Sequence, residues 1–264
     1  LTLLALRMLI SLPLFALMAW WASSGAQPMT RRDWLAMSGL GFLGYYVGSY
    51  FDFAGLQYIS AGLGRLILYL YPTLVLLLSA LLLKYPIRAP HLISLALSYA
   101  GIALVFQHEI SMGENLPQMA LGAMLVFGSA ATYAVYLIAG SRLVHRVGSM
   151  RLTAYASIVA SFFVLAHFMA THEAETLIVA PEVYWLSLVM AVFSTVLPLW
   201  LQAEGLKRIG ANQVALVGCV GPLSTILLAH AFLGEQVTAI QLAGAALVLS
   251  GVAIISLKLQ AARD

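Results

Sequence analysis

Two stretches decide the fold. Gly55-Leu56-Gln57-Tyr58-Ile59-Ser60-Ala61 leads into an apolar run that carries Pro72 and ends at Leu83. Gly205-Leu206-Lys207-Arg208-Ile209-Gly210-Ala211 leads into one that carries Pro222 and ends at Leu233. The second stretch is the first displaced by 150 positions, and at that offset 55–105 aligns with 205–255 without a gap, fifteen of the fifty-one pairs being identical. Leu and Ala pairs arise cheaply between apolar helices. The shared Gly55/Gly205, Pro72/Pro222 and Gly101/Gly251 do not, and they mark an internal duplication.

The surroundings of these stretches define the solvent. Of 264 residues 62% are apolar and 9% charged, too few charges for a water-facing surface, which carries about 25% in soluble chains. Nine apolar runs, at 1–22, 34–56, 60–83, 89–107, 118–140, 151–171, 183–204, 212–233 and 239–257, are each long enough for a helix to cross a hydrocarbon layer of about 30 Å. Barrel strands would instead show alternating segments of roughly ten residues. The net charge of +3 does not indicate a nucleic-acid partner, because the basic residues lie in the breaks between runs rather than in one patch. The single cysteine, Cys219, lies inside the eighth run and reads as a small apolar filler.

Lys and Arg alternate from break to break. Arg31/Arg32, Lys84/Arg88, Arg142/Arg146/Arg151, Lys207/Arg208 and Lys258/Arg263 fill every other one, eleven of the thirteen basic residues, and the remaining breaks hold none. The positive-inside rule then puts the filled side and the C-terminus in the cytoplasm. Matched breaks of the two copies carry opposite charge, so the copies cross the membrane in opposite senses. The reading is an all-α integral membrane protein with nine transmembrane helices present and ten in an intact parent, arranged as two inverted-topology repeats of five. The first repeat is 1–107 and lacks its first helix; the second is 118–257; 258–264 is a cytoplasmic tail.

Inverted repeats are the architecture of secondary transporters, because opposed halves provide one barrier in two mirror arrangements. The paired helix breakers Pro72/Pro222, with Gly48/Pro198 one helix earlier, suit a wet mid-membrane site between the halves, where interrupted backbone is tolerated. A zinc hydrolase is disfavoured because His172-Glu173 lacks the second histidine of HExxH. A retinal pump is disfavoured because no Lys lies in mid-helix. A channel and a non-transporting scaffold subunit stay open. No cofactor or metal is expected.

The chain resembles the EamA-type branch of the drug/metabolite transporter superfamily. The resemblance rests on Gly205 to Ala211, Pro222, Leu233-Gly234-Glu235, Gln241-Leu242-Ala243-Gly244 and Gly251, with Gly55 to Ala61 and Pro72 repeating the pattern and Lys84-Tyr85 replacing the second Gly-Glu. It implies a ten-helix bundle in a bacterial inner membrane that exports or exchanges small metabolites, often amino acids.

An Arg in a spanning helix costs about 2.5–3.5 kcal/mol on insertion scales, so Arg7 and Arg65 need partners or water. Asp52, at comparable depth, is expected to neutralise one of them as a clamp or an outer gate, snorkelling being the alternative. Arg65 is the expected contact for a substrate carboxylate. Tyr69, Tyr71, Tyr133 and Tyr136, with Pro72, Thr132, Pro222, Ser224 and Thr225, are the candidates to line the central cavity or to hydrogen-bond between helices. Gln202, aligned with Asp52, and Glu204 mark the cytoplasmic mouth; His167 and His230 are candidates for proton coupling. Trp20, Trp21, Trp34, Tyr85 and Trp185 fit an interfacial belt, and Gly44 with Gly48 a close helix contact.

Overall fold

The computed structural model describes residues 2–83, 89–111, 115–218 and 238–260, and among them every regular element is helical. The first is α1 (Thr2–Ser23). α2 (Arg31–Leu40) widens into a π-helical segment, Gly41–Val47, and continues as α3 (Gly48–Gly55). α4 (Ala61–Leu68), α5 (Tyr71–Leu83), α6 (Ala89–Ser111), α7 (Leu116–Val147) and α8 (Ser149–Thr171) follow. After one 3-10 turn at Ala174–Leu177, α9 (Pro181–Val189) passes through a second π segment, Met190–Val196, into α10 (Leu197–Gly218), and the last is α11 (Ala239–Gln260). The elements recur at the sequence offset: α1 plus 150 gives 152–173 against α8, the π segments begin at 41 and 190, and α6 and α11 begin at 89 and 239.

Local chemistry explains the interruptions. Pro198 has no N–H for the Ser194 carbonyl and its ring crowds that oxygen. The turn ahead of it is wide, the Leu197 amide reaching Val192 O and Thr195 Oγ1 donating to Met190 O at 3.1 Å. At the matching position, the amide of Gly48 donates to Leu43 O and Tyr45 O. Pro72 does not kink a continuous helix: α4 ends at Tyr69 (φ −72°, ψ 9°), and Pro72 sits in the first turn of α5, where a missing N–H breaks no bond. Gly210 (φ 78°, ψ 171°) bends α10 in a backbone region that a side chain would strain.

Among the described residues, five helical stretches are long and apolar enough to span a membrane: Thr2–Ser23, Ala61–Leu81, Leu116–Val147, Ser149–Thr171 and Pro181–Ala211. Four runs read from the sequence are not among these: the second is rich in Gly, Ser and Tyr, the fourth forms α6, the eighth lies largely in 219–237, outside the described residues, and the ninth gives a shorter apolar stretch, Ala239–Gly251. Outward-facing residues are apolar, with Met169 79%, Met124 73% and Phe162 67% exposed, as a lipid-facing surface requires. Trp20, Trp21 and Trp185 are also strongly exposed.

The chain divides into two compact units, one built from Leu1–Tyr50 and Tyr136–Gly210, the other from Phe51–Val135 and Ala211–Asp264. In the first, α1 packs along α8, α8 also packs on the first π segment, and α1 on the second. Leu4, Phe15, Met37, Leu152, Val164 and Phe168 are buried there. In the second, α6 lies along α11 and both touch α4. A Cβ on Gly101 would stand 2.6 Å from Gly244 O, so the two backbones approach as only glycine permits. Ile59, Leu63, Leu66, Val105, Met119 and Val248 form the core beside that contact.

At the start of α2, Asp33 N–H donates to Thr30 Oγ1 at 3.3 Å and Thr30 N–H donates to Asp33 Oδ2 at 3.0 Å, a reciprocal cap. Arg146 Nη2 stands 2.7 Å from Asp33 Oδ1. The Thr30 hydroxyl bond, outweighing partial burial and helped by the Arg146 charge, holds the Asp33 carboxyl below the usual carboxylate range. The stability this contributes is complete above the unfolded value of about 3.9 and is lost as pH falls beneath it. Asp33→Asn is therefore expected to lower the melting temperature of detergent-purified protein at pH 7, and to make the further fall below about pH 4 shallower than in wild type.

Candidate functional site

A cavity of about 80 Å³ lies within the first unit. Its polar wall is Arg7 from α1, Tyr45 from the first π segment, Ser49 from α3, Ser157 from α8, and Ser194 with Thr195 from the second π segment; Met8, Ala160 and Leu199 complete it. Three pairs in this wall are separated by 150 positions: Arg7/Ser157, Tyr45/Thr195 and Ser49/Leu199. Positions 150 apart in the sequence therefore face one space. The two π segments bring them there, since a wide turn shifts the register of the side chains that follow.

Arg7 is the one charged residue of this wall, and among the described residues that line it none is acidic. Ser157 is 2% exposed, and its Oγ has no hydrogen-bond partner among the described residues. A buried hydroxyl in that condition carries a desolvation cost that a solute or water in the cavity would remove. Thr195 already donates to Met190 O, leaving its lone pairs as acceptors. Behind the wall, Tyr45 OH donates to Tyr136 OH at 2.6 Å with ring centroids 4.8 Å apart, and Tyr136 is fully buried. A Cβ on Gly44 would lie 2.7 Å from Tyr136 Cβ, so the glycine is what admits the Tyr136 ring. Nearby in the same unit, Tyr46 OH and His167 Nδ1 are 3.0 Å apart. Toward the end of the second copy's run, Glu204 accepts from Ser149 Oγ and from Arg208 Nε, the latter at 2.8 Å.

In the second unit, Arg65 Nη1 lies 3.6 Å from Asp52 Oδ2, both side chains being partly exposed. Tyr71 OH donates to Ala215 O at 3.1 Å; its ring meets Tyr133 edge-on at 4.8 Å and Tyr69 at 5.8 Å. Pro72 begins α5 beside them.

The expected site residues thus fall into distinct groups. Arg7 lines the cavity, Tyr136 reaches its wall through Tyr45, and Gln202 and Glu204 lie elsewhere on α10. Asp52, Arg65, Tyr69, Tyr71, Pro72 and Tyr133 gather in the second unit. Pro222, Ser224, Thr225 and His230 lie outside the described residues, as does Cys219. Sequence reasoning passed over Tyr45, Ser49, Ser157, Ser194 and Thr195. The offset of 150 would have found most of them if extended ahead of Gly55, but the partners differ chemically, and a search for identities skips them.

A multi-pass helical chain with a small polar cavity, walled in part by residues 150 positions apart, is the class so defined. The chain belongs to the EamA-like transporter family, whose profile matches residues 1–107 and 120–257. It is similar to the uncharacterized transporter YcbK of Bacillus subtilis (strain 168), 31% identical over 81% of this chain and 69% of that one. It is also similar to the uncharacterized transporter YyaM of the same strain, 26% identical over 84% and 73%. A crystal structure of another protein superposes with a TM-score of 0.70 over 100% of this chain and 89% of that chain at 21% identity, a likeness of fold alone.

Replacing both tyrosines of the Tyr45–Tyr136 pair by Phe is expected to cost less than the sum of the single replacements. The coupling is about 0.5–1.5 kcal/mol, read from a double-mutant cycle of detergent melting curves.

Proposed function

We propose that this chain is a secondary transporter of a bacterial inner membrane, carrying a small organic metabolite such as an amino acid by alternating access, with its C-terminus cytoplasmic. The observation that supports this best is the cavity walled by Arg7/Ser157, Tyr45/Thr195 and Ser49/Leu199, positions that the duplication makes equivalent. Two repeats of opposed orientation around one cavity have two arrangements of similar free energy, each sealing a different side. The two π segments are at matching places on that wall, where an already widened turn lets a helix bend without losing a full set of hydrogen bonds.

Roles follow for the second group. Asp52 and Arg65 serve as an ion-pair gate of the second unit, with Tyr69, Tyr71 and Tyr133 near Pro72 as the groups a solute meets there. Protons are the proposed coupling ion, with His167 as a carrier through Tyr46. The membership of a transporter family supports this over a catalytic role.

Purified full-length chain in liposomes, screened against amino acids and related metabolites, is expected to show saturable counterflow of one class; unsaturable conductance throughout would overturn the carrier reading in favour of a channel. Arg65→Ala is expected to lower the transport rate about tenfold, while Arg65→Lys keeps a larger share because it preserves the charge without the fork. An equal loss of protein yield in both variants would assign Arg65 to folding instead.

A further inference from the structure

We propose that the end of the first unit where α1 turns into α2 holds an anionic phospholipid, its phosphate beside Arg31, Arg32 and Arg146 and its acyl chains against the exposed apolar residues next to them. The proposal goes beyond the transporter reading and does not depend on it.

Three contacts build this end. Arg151, in the first turn of α8, is buried and donates from Nε and Nη1 to Ala22 O and Gln27 O, which fixes the turn between α1 and α2. Tyr155, one turn further along α8, has its hydroxyl 2.9 Å from Ser23 Oγ, and its ring meets Trp34 edge-on at 4.7 Å. Arg146, in the last turn of α7, stands 2.7 Å from Asp33 in the first turn of α2. The start of α2 is thus held against two other helices, and the residues ahead of Asp33 sit on a fixed platform.

Charge selects the ligand's head. Arg31 and Arg32 share the turn of Asp33, and Arg142 lies one turn before Arg146 on α7, all three exposed. Asp33 is the one carboxylate in 20–36 and 140–151, and it is already engaged by Thr30 and Arg146. Arg31, Arg32 and Arg142 take part in no ion pair among the described residues. Five arginines against one carboxylate leave a positive field, and each guanidinium offers a fork of donors that suits phosphate oxygens. The segment after α8 has the opposite character: Glu173, Glu175 and Glu182 are exposed there and 172–182 holds no Lys or Arg.

Apolar surface selects a lipid over a free anion. Arg31, Trp34 and Leu35 are three and four positions apart and share one face of α2, where Trp34 and Leu35 are exposed. Trp20 and Trp21 are strongly exposed near the end of α1, as residues at a headgroup boundary are. A phosphate on the arginines therefore brings its acyl chains alongside residues that already face hydrocarbon. The rule that sorts basic loops to one side of a membrane would be met by charge anywhere in these breaks. Their gathering on one braced turn, beside exposed apolar side chains, is what makes a site.

The test is a thermal-shift titration of the purified full chain, in neutral detergent, with dioleoyl phosphatidylglycerol, dioleoyl phosphatidylcholine and inorganic phosphate. Phosphatidylglycerol is expected to raise the melting temperature at concentrations about tenfold below those at which phosphatidylcholine acts, with inorganic phosphate inert in that range. Arg32→Gln is expected to weaken phosphatidylglycerol by about fivefold. Lys207→Gln, an equal loss of charge from an exposed residue of α10, is expected to weaken it by less than about twofold. Phosphatidylcholine matching phosphatidylglycerol, inorganic phosphate acting in the same range, or Lys207→Gln costing as much as Arg32→Gln would each overturn the proposal, the last by showing a diffuse field instead of a site. Should Arg32→Gln fail to fold, Arg31→Gln decides by the same comparison. Selective lipid binding with no counterflow of any solute removes the transport reading and keeps this site; saturable counterflow without lipid selectivity does the reverse.

Discussion

In hydrocarbon no water is present to satisfy a peptide N–H or C=O, and this single constraint organises the molecule. Every regular element among the described residues is helical, and at two places where the helical ladder is disturbed a compensating bond is present. At Pro198 the ladder loses a donor, and the π turn ahead of it closes i→i−5 bonds with help from the Thr195 hydroxyl. At Tyr69–Leu70 the chain leaves α4, yet the Tyr69 amide still reaches Arg65 O and the Leu70 amide reaches Ile67 O, both at 3.0 Å. Interruptions of this kind are costly in lipid and stable only against protein or a wet space, and the two π segments do line a cavity.

The same constraint governs charge and hydroxyls. Arg65 has the Asp52 carboxylate at 3.6 Å, and Tyr71 and Tyr45 place their hydroxyls on a carbonyl and on another phenol. Arg7 faces the cavity, as does the Ser157 hydroxyl. Elsewhere in the first unit, Arg151 Nε and Nη1 donate to Ala22 O and Gln27 O at 3.1 and 2.9 Å. A wall that gathers an arginine, a tyrosine and several hydroxyls around one space has the composition of a binding surface rather than of a core.

Much of the fold was legible in the sequence, because hydrophobic length and Gly/Pro placement are properties of single residues and survive divergence. The apolar runs gave the all-helical class, and the start of α4 follows the Gly55 break as expected. Three features were not legible. The π segments depend on which carbonyl an amide selects, a choice of one residue in register that hydropathy does not encode. The break at Tyr69 rather than at Pro72 reflects proline's tolerance in a first turn. The cavity wall was missed because Ser and Thr within apolar runs are ordinary, and only their convergence with Arg7 in space makes them a site. Gly44, read as part of a close helix contact, does meet α7 closely, through Tyr136.

Between segments about 150 positions apart, the backbone elements correspond while the side chains of the wall differ. Both copies place a π segment at the same point, one followed by Gly48 and the other by Leu197-Pro198, so the mechanical feature is shared although the residues that produce it differ. On the wall itself the partners have become unlike: Arg7 opposite Ser157, Tyr45 opposite Thr195, Ser49 opposite Leu199. A two-way conformational change needs equivalent hinges, because unequal ones would trap the protein on the side with the lower free energy. Recognition of a polar solute needs the opposite, since a symmetric wall could not tell the head of a solute from its tail. Similar turns that carry unlike side chains answer both demands in one cavity, and that combination is what the proposed carrier needs and a static scaffold does not.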